Sequence, residues 1–190
     1  MFNIEFTWEM LGVGFLVLAY IVFGLGLRTG KKVNVLIGSS VFNLLMIVYF
    51  ITFGAFSGVV ISIIAVIRNI YFYRRERLSG ENPLWSLFLF SAVIIVSNLL
   101  VFEGWRDILM MGIALIGVFQ FWYKNDKITH PRHPLHRNNV VLFGNLFMSA
   151  FYIAFALTLP LRYGWLPMAL ESYAVLTAAM GVYKNFKLSR

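Results

Sequence analysis

Uncharged apolar stretches, separated by short clusters of charged residues, recur along the whole chain. The longest covers 33–67, 35 residues without a charged side chain, which exceeds the roughly 17 to 25 residues that one membrane-spanning helix uses. It must fold back on itself, and GAFSG at 54–58, with a small residue at each end, predicts the reversal. Read this way throughout, the pattern predicts seven spans, at about 8–27, 33–53, 58–73, 84–102, 108–123, 140–161 and 166–183. All five tryptophans, Trp8, Trp85, Trp105, Trp122 and Trp165, fall at the ends of these spans, where an aromatic belt places amphipathic rings at the headgroup level. They are expected to be packing anchors.

Composition agrees with the pattern: 60% hydrophobic and 13% charged residues, with a mean hydropathy of +0.79, describe a chain whose solvent is largely lipid. The fold class expected is all-α, a polytopic bundle of seven transmembrane helices forming a single membrane domain over 1–190. No room is left for a separate soluble domain, so function must lie in the bundle or its loops. The start, MFNIEFTWEM, has no basic residue and therefore lacks the positive n-region of a signal peptide; the first helix is expected to be retained. The sequence has no cysteine, which excludes disulfides, thiol catalysis and thiolate metal ligands.

A net charge of +8 raises the question of nucleic acid, but the basic residues sit at helix ends, the placement of topology signals. Of 16 Lys and Arg, 13 follow the odd-numbered spans: Arg28, Lys31, Lys32; Arg74, Arg75, Arg77; Lys124, Lys127, Arg132, Arg137; and Lys184, Lys187, Arg190. The positive-inside rule then puts the N-terminus outside and the C-terminus in the cytoplasm. The expected partners are the lipid bilayer and an unidentified small-molecule solute, without nucleic acid, and a homo-oligomer is left open.

Spans one to three resemble spans five to seven. Trp8 precedes the first triplet and Trp105 the second; KKVNVLIGSSVF aligns with RNNVVLFGNLF through Gly38 and Gly144; Tyr71 and Tyr183 close the third helices. The offset grows from 97 to 106 to 112 residues along these pairs, so insertions fall in the 124–139 loop and the 160–167 connection. Two triplets of the same orientation need one span between them, which gives a 3+1+3 layout of parallel repeats: repeat one at about 8–77, a linker helix at about 84–103, repeat two at about 105–187. A pathway is expected between the triplets.

The stretches WEMLGVGFLVLAYIVFG in span one, ISIIAVIRNI around Arg68 and MALESYAVLTAAMGVY around Glu171 carry a resemblance to the YgjV-type bacterial inner membrane proteins. The layout is similar to that of the SWEET sugar transporters, the PnuC vitamin transporters and the PQ-loop proteins of the same superfamily. The resemblance implies a seven-helix multi-pass protein of the bacterial inner membrane and transport of a small solute, with no cofactor. The chain differs from these relatives in having no Pro-Gln pair and no tryptophan-rich substrate motif.

Polar groups inside the spans are the functional candidates, because a charge in the bilayer is costly and is kept for a reason. Arg68 lies near the basic end of span three, where a long side chain can instead snorkel to the interface. Glu171 lies deeper in span seven, and a carboxylate is too short to escape that way. The depths of the two differ by about 13 Å at helical rise, which argues against direct pairing. Asn43 and Ser149 occupy matching places in the two triplets and are expected to face one cavity, with Asn69 and Asn145 beside them. Helix-to-helix hydrogen bonding is the competing role for all four. His130, His133 and His136 recur every third residue, but Pro131 and Pro134 interrupt any shared helical face, so a solvated loop is expected there and not a metal site. No nucleophile is paired with a base and no span holds two carboxylates, so no catalytic residue is expected and the chain is not read as an enzyme. The expected function is transport of a small solute by alternating access between two three-helix repeats; the alternative is a non-transporting scaffold or partner subunit whose polar residues only hold helices together.

Overall fold

A computed structural model describes residues 8–52, 56–78, 81–100, 105–123, 133, 136–157 and 161–187. Among them are seven α-helices and no strand: α1 (Trp8–Arg28), α2 (Lys32–Thr52), α3 (Phe56–Arg77), α4 (Leu84–Leu100), α5 (Trp105–Trp122), α6 (Arg137–Leu157) and α7 (Leu161–Lys187). At 21 residues, α1 and α2 are each about 31 Å long, the thickness of a bilayer's hydrocarbon core. Over Met10–Arg28 and Lys32–Thr52 both are apolar enough to cross a membrane on length and composition, whereas the apolar stretches of α4 and α5, Leu84–Leu100 and Met111–Trp122, are shorter.

Several bounds differ from the hydropathy reading for a simple reason: helical hydrogen bonding does not stop where the apolar side chains stop. The α3 helix carries Arg74, Arg75 and Arg77 in its last turn, where cations oppose the negative end of the helix dipole. The α6 helix starts at Arg137, inside the predicted loop, and α7 starts at Leu161 and takes in Pro167, inside the predicted 160–167 connection.

The α1–α2 corner is made by glycines. Gly30 has φ +70°, the left-handed conformation that ends helices at little steric expense, and its N–H donates to Leu27 O at 3.0 Å. Just beyond, α1 and α2 approach through Gly26 and Gly38: a methyl group on Gly26 would stand 2.9 Å from Asn34 O and 3.4 Å from the Gly38 Cα. Gly181 seats α7 on α1 in the same way, since a Cβ there would stand 2.4 Å from Leu27 O. Small residues permit such backbone approach where lipid supplies no hydrophobic drive for association.

Adjacent helices pack in sequence order, and α1 also packs on α7, α2 on α6 and α3 on α5. The α4 helix lies against α3 and α5, where Trp85 and Phe90 meet Tyr71 and Phe72 at ring separations of 5.9 and 5.6 Å. The best-packed layer lies toward the basic helix ends. Leu27, Leu36, Phe72, Phe121, Leu142 and Ala178, one from each helix other than α4, are all 1% exposed or less and belong to one core cluster. Trp8 and Trp85 face outward, and half-buried Trp122 donates from Nε1 to Pro83 O at 3.2 Å. The side chains of Trp105 and Trp165 lie outside the described set.

Candidate functional site

Beyond the packed layer, away from the basic ends, a cavity of about 120 Å³ opens among α1, α2, α3, α5, α6 and α7. The walls are apolar, with Phe23, Phe42, Ile61, Ile113 and Met148 among them; five polar or charged candidates face it, namely Asn43, Arg68, Asn145, Ser149 and Glu171. The positions that the internal alignment matches, Asn43 on α2 and Ser149 on α6, thus meet at one cavity. Asn69 does not line it and stands behind Arg68.

Arg68 is held by a relay of side chains. The Asn69 Oδ1 accepts from Arg68 Nε at 3.2 Å and Nη2 at 3.0 Å, and Asn69 Nδ2 donates to Ser39 Oγ at 2.9 Å. Asn43 Nδ2 in turn donates to Ser39 O at 2.6 Å. The remaining guanidinium edge reaches α5, with Nη1 donating to Ala114 O at 3.4 Å and the group lying 5.5 Å from the Phe121 ring centroid. Gly117 makes room for it: a methyl group there would stand 3.0 Å from Nη1. Arg68 is therefore held inside the bundle, 6% exposed. It is eight residues from Glu76 on α3, Ala114 is nine from Tyr123 on α5, and Lys32 touches both Glu76 and Tyr123.

Glu171, 4% exposed, accepts from the Tyr20 hydroxyl and from Ser149. Arg68 and Glu171 both line this cavity. Two further polar groups are strictly buried near this site. Asn145 spends its Nδ2 on Val141 O at 2.7 Å, and its Oδ1 has no hydrogen-bond partner among the described residues. Gln120, which packs over Gly144, is unpartnered at both ends in the same sense. Asn98 and Thr177 only bond to carbonyls of their own helices.

The basic face of the bundle is tied shut by residues that the hydropathy reading treated only as orientation signals. Lys32 Nζ lies 3.3 Å from Glu76 Oε2, and Arg137 Nη1 lies 3.2 Å from Glu76 Oε1. The Lys32 side chain is fully buried and that of Glu76 is 3% exposed. Lys32 also donates from Nζ to Tyr123 O at 2.7 Å and from its backbone N–H to Asn138 Oδ1 at 2.9 Å. Asn185 completes the ring, donating to Gly30 O at 3.0 Å and to Asn139 Oδ1 at 2.9 Å. The clue in the sequence was small: Glu76 is the lone acid within RRER, and a carboxylate among cations calls for a specific partner. Tyr20 was missed because a tyrosine in an apolar run does not disturb the hydropathy.

Of the histidines, His133 accepts from Asn139 Nδ2 at 2.9 Å through its carbonyl, and the backbone of both His133 and His136 joins the turn entering α6; His130 lies outside the described residues. No group of three or more metal-ligating side chains occurs among the described residues.

Comparison with curated proteins and with solved structures returned no match. A family model described as a bacterial inner membrane protein matches residues 10–154. That stretch covers α1 through most of α6, including Arg68, Asn145, Ser149 and every member of the Lys32–Glu76–Arg137 cluster. The chain belongs to the YgjV-type family of bacterial inner membrane proteins.

Proposed function

We propose that this inner membrane protein transports a small solute by alternating access, with α1–α3 and α5–α7 as the two moving units. The observation that carries the reading is the cavity itself: charged and amide side chains from both triplets converge on one buried space lined by aromatic rings. A scaffold held together by polar glue predicts a dry bundle, whereas here a space of about 120 Å³ lies between the two triplets.

The arrangement of contacts supports the mechanism. The bonds that close the basic face cross from one triplet to the other: Lys32 to Tyr123 and Asn138, Glu76 to Arg137, and Gly30 to Asn185. Rocking one triplet against the other would break this set together, while the packing inside each triplet is kept. Gly38 faces α1 and Gly144 faces α5, so each triplet uses its aligned glycine in the same way, as parallel repeats would. With the basic face cytoplasmic, the conformation described is closed toward the cytoplasm.

Flux into liposomes containing the purified protein tests the reading, with a panel of amino acids, sugars, nucleosides and vitamins. Uptake of at least one class above protein-free liposomes is expected. Folded protein that moves none of them would contradict it.

A further inference from the structure

We propose that the seam between α1 and α7 binds an anionic phospholipid at the basic face, with the lipid phosphate between Arg28 and Lys184 and the acyl chains along the apolar helix faces beneath them. The site goes beyond the transport reading and holds whatever the cavity carries.

The two helices run side by side in the same direction. Tyr20 meets Glu171, Gly24 lies against Tyr173, Leu27 O lies against Gly181, and Asn185 Nδ2 donates to Gly30 O at 3.0 Å. Arg28 follows Leu27 directly and Lys184 precedes Asn185, so these backbone contacts bring the two cations to neighbouring places on the seam. An open groove of about 450 Å³ lies there, lined by Leu25, Arg28, Thr29, Met180 and Lys184. Both cations are exposed, and their long stems let each charge reach toward one shared phosphate.

Beneath the cations the surface turns apolar. Leu18, Ile21 and Leu25 are exposed on α1 at steps of three and four residues, and Arg28 comes three later; Leu176 and Met180, also exposed, lead in the same way to Lys184 on α7. The α1 stripe extends for about 10 Å. In a chain of an inner membrane family, such stripes face acyl chains, and the cations that end them stand at the cytoplasmic headgroup level.

Chemistry then names the occupant. Among the described residues neither Arg28 nor Lys184 has a side-chain hydrogen bond or ion pair, whereas Lys32 and Arg137 on the same face are held by Glu76. The helix dipole favours a cation in each last turn, but it does not supply an acid to a groove that two cations share. Phosphodiester oxygens accept from both guanidinium and ammonium, and a phospholipid joins that anion to hydrocarbon matching the stripes. A zwitterionic lipid brings its own ammonium into the groove, where the two cations repel it; an anionic lipid does not.

Lipid retention by the intact protein in detergent, read by native mass spectrometry and by the thermal unfolding midpoint, tests the site with phosphatidylglycerol, cardiolipin, phosphatidylcholine and glycerol 3-phosphate. Both anionic lipids are expected to be retained more tightly than phosphatidylcholine and to raise the midpoint. Arg28→Gln and Lys184→Gln should each weaken the anionic lipids about fivefold, and the double variant should retain them no better than phosphatidylcholine. Arg74→Gln removes an exposed cation of α3 that does not line the groove and should leave retention unchanged. All three positions are exposed, so the variants are expected to fold. Equal retention of anionic and zwitterionic lipids, a double variant that behaves as the parent, or an equal loss in Arg74→Gln would overturn the assignment. Glycerol 3-phosphate that binds as well as the lipids would overturn it too, by showing a site for a soluble anion. None of these readouts involves flux, so failure of the transport reading leaves them unchanged.

Discussion

The two ends of the bundle are built differently. From the basic ends inward, buried side chains follow one another on every triplet helix: Lys32, Val35, Leu36 and Ser39 on α2, Arg68, Asn69 and Phe72 on α3, Asn139, Val141, Leu142 and Asn145 on α6. Past the cavity the density falls away on α2 and α3. No residue of α2 after Ser39 is buried, and Ser62 is the sole buried position among the described side chains of α3 before Arg68. An ion cluster and an apolar plug pack one end, while on α2 the other end carries half-buried Met46 and Tyr49 and exposed Ile51. In lipid, half-exposed apolar groups lose little when helices separate, because hydrocarbon replaces the neighbour they leave. On α2 and α3 the basic ends are thus tightly packed around the buried Lys32–Glu76 pair and the opposite ends are not.

Substitutions can break or sharpen this contrast. Glu76→Gln leaves the Lys32 ammonium buried without its counter-charge, and loss of one member of a buried pair destabilises by about 3–5 kcal/mol; the Arg137 contact, with a side chain 38% exposed, adds little. A large fall in the thermal unfolding midpoint in detergent is expected; an unchanged midpoint would mean the cluster is an ornament on a stable fold. Replacing Lys32 and Glu76 together by apolar residues of similar volume should restore much of the loss, since buried pairs are often dispensable for stability. In the plug, Phe72→Ala removes a ring that is 1% exposed, and truncations of this kind destabilise by roughly 3 kcal/mol or more. The same measurement on Ile51→Ala, at a position 57% exposed, should fall within about 0.5 kcal/mol of the parent. Equal effects at Phe72 and Ile51 would erase the distinction between the two ends.

Much of this architecture was legible in the sequence because the signals that specify membrane helices are summed over many residues. Seven apolar runs, tryptophans at their ends and basic clusters after alternate runs are each redundant, so small errors in bounds did no harm. The cavity was partly legible for a related reason: polar side chains in lipid are few, and the internal alignment picked Asn43 and Ser149 from among them. Single-residue features were not. Lys32, Glu76 and Arg137 sit where charges are expected anyway, so nothing distinguishes a solvated lysine from one buried against a carboxylate except the neighbours brought by other helices. Backbone depth bears on direct pairing of Arg68 and Glu171 and not on which space they border; that both line one cavity follows from how the helices pack.

The central claim is that the cavity is sealed from the basic face by the Lys32–Glu76–Arg137 cluster and reaches the opposite face instead. The sequence has no cysteine, so a single thiol placed at Ala65, on the cavity wall, reports access without background. Labelling of Ala65→Cys by a membrane-impermeant maleimide should proceed from the outer face and be slow from the cytoplasmic face, and adding Glu76→Gln should raise the cytoplasmic rate several-fold. Equal labelling from both faces with the cluster intact, or no response to its disruption, would contradict the account.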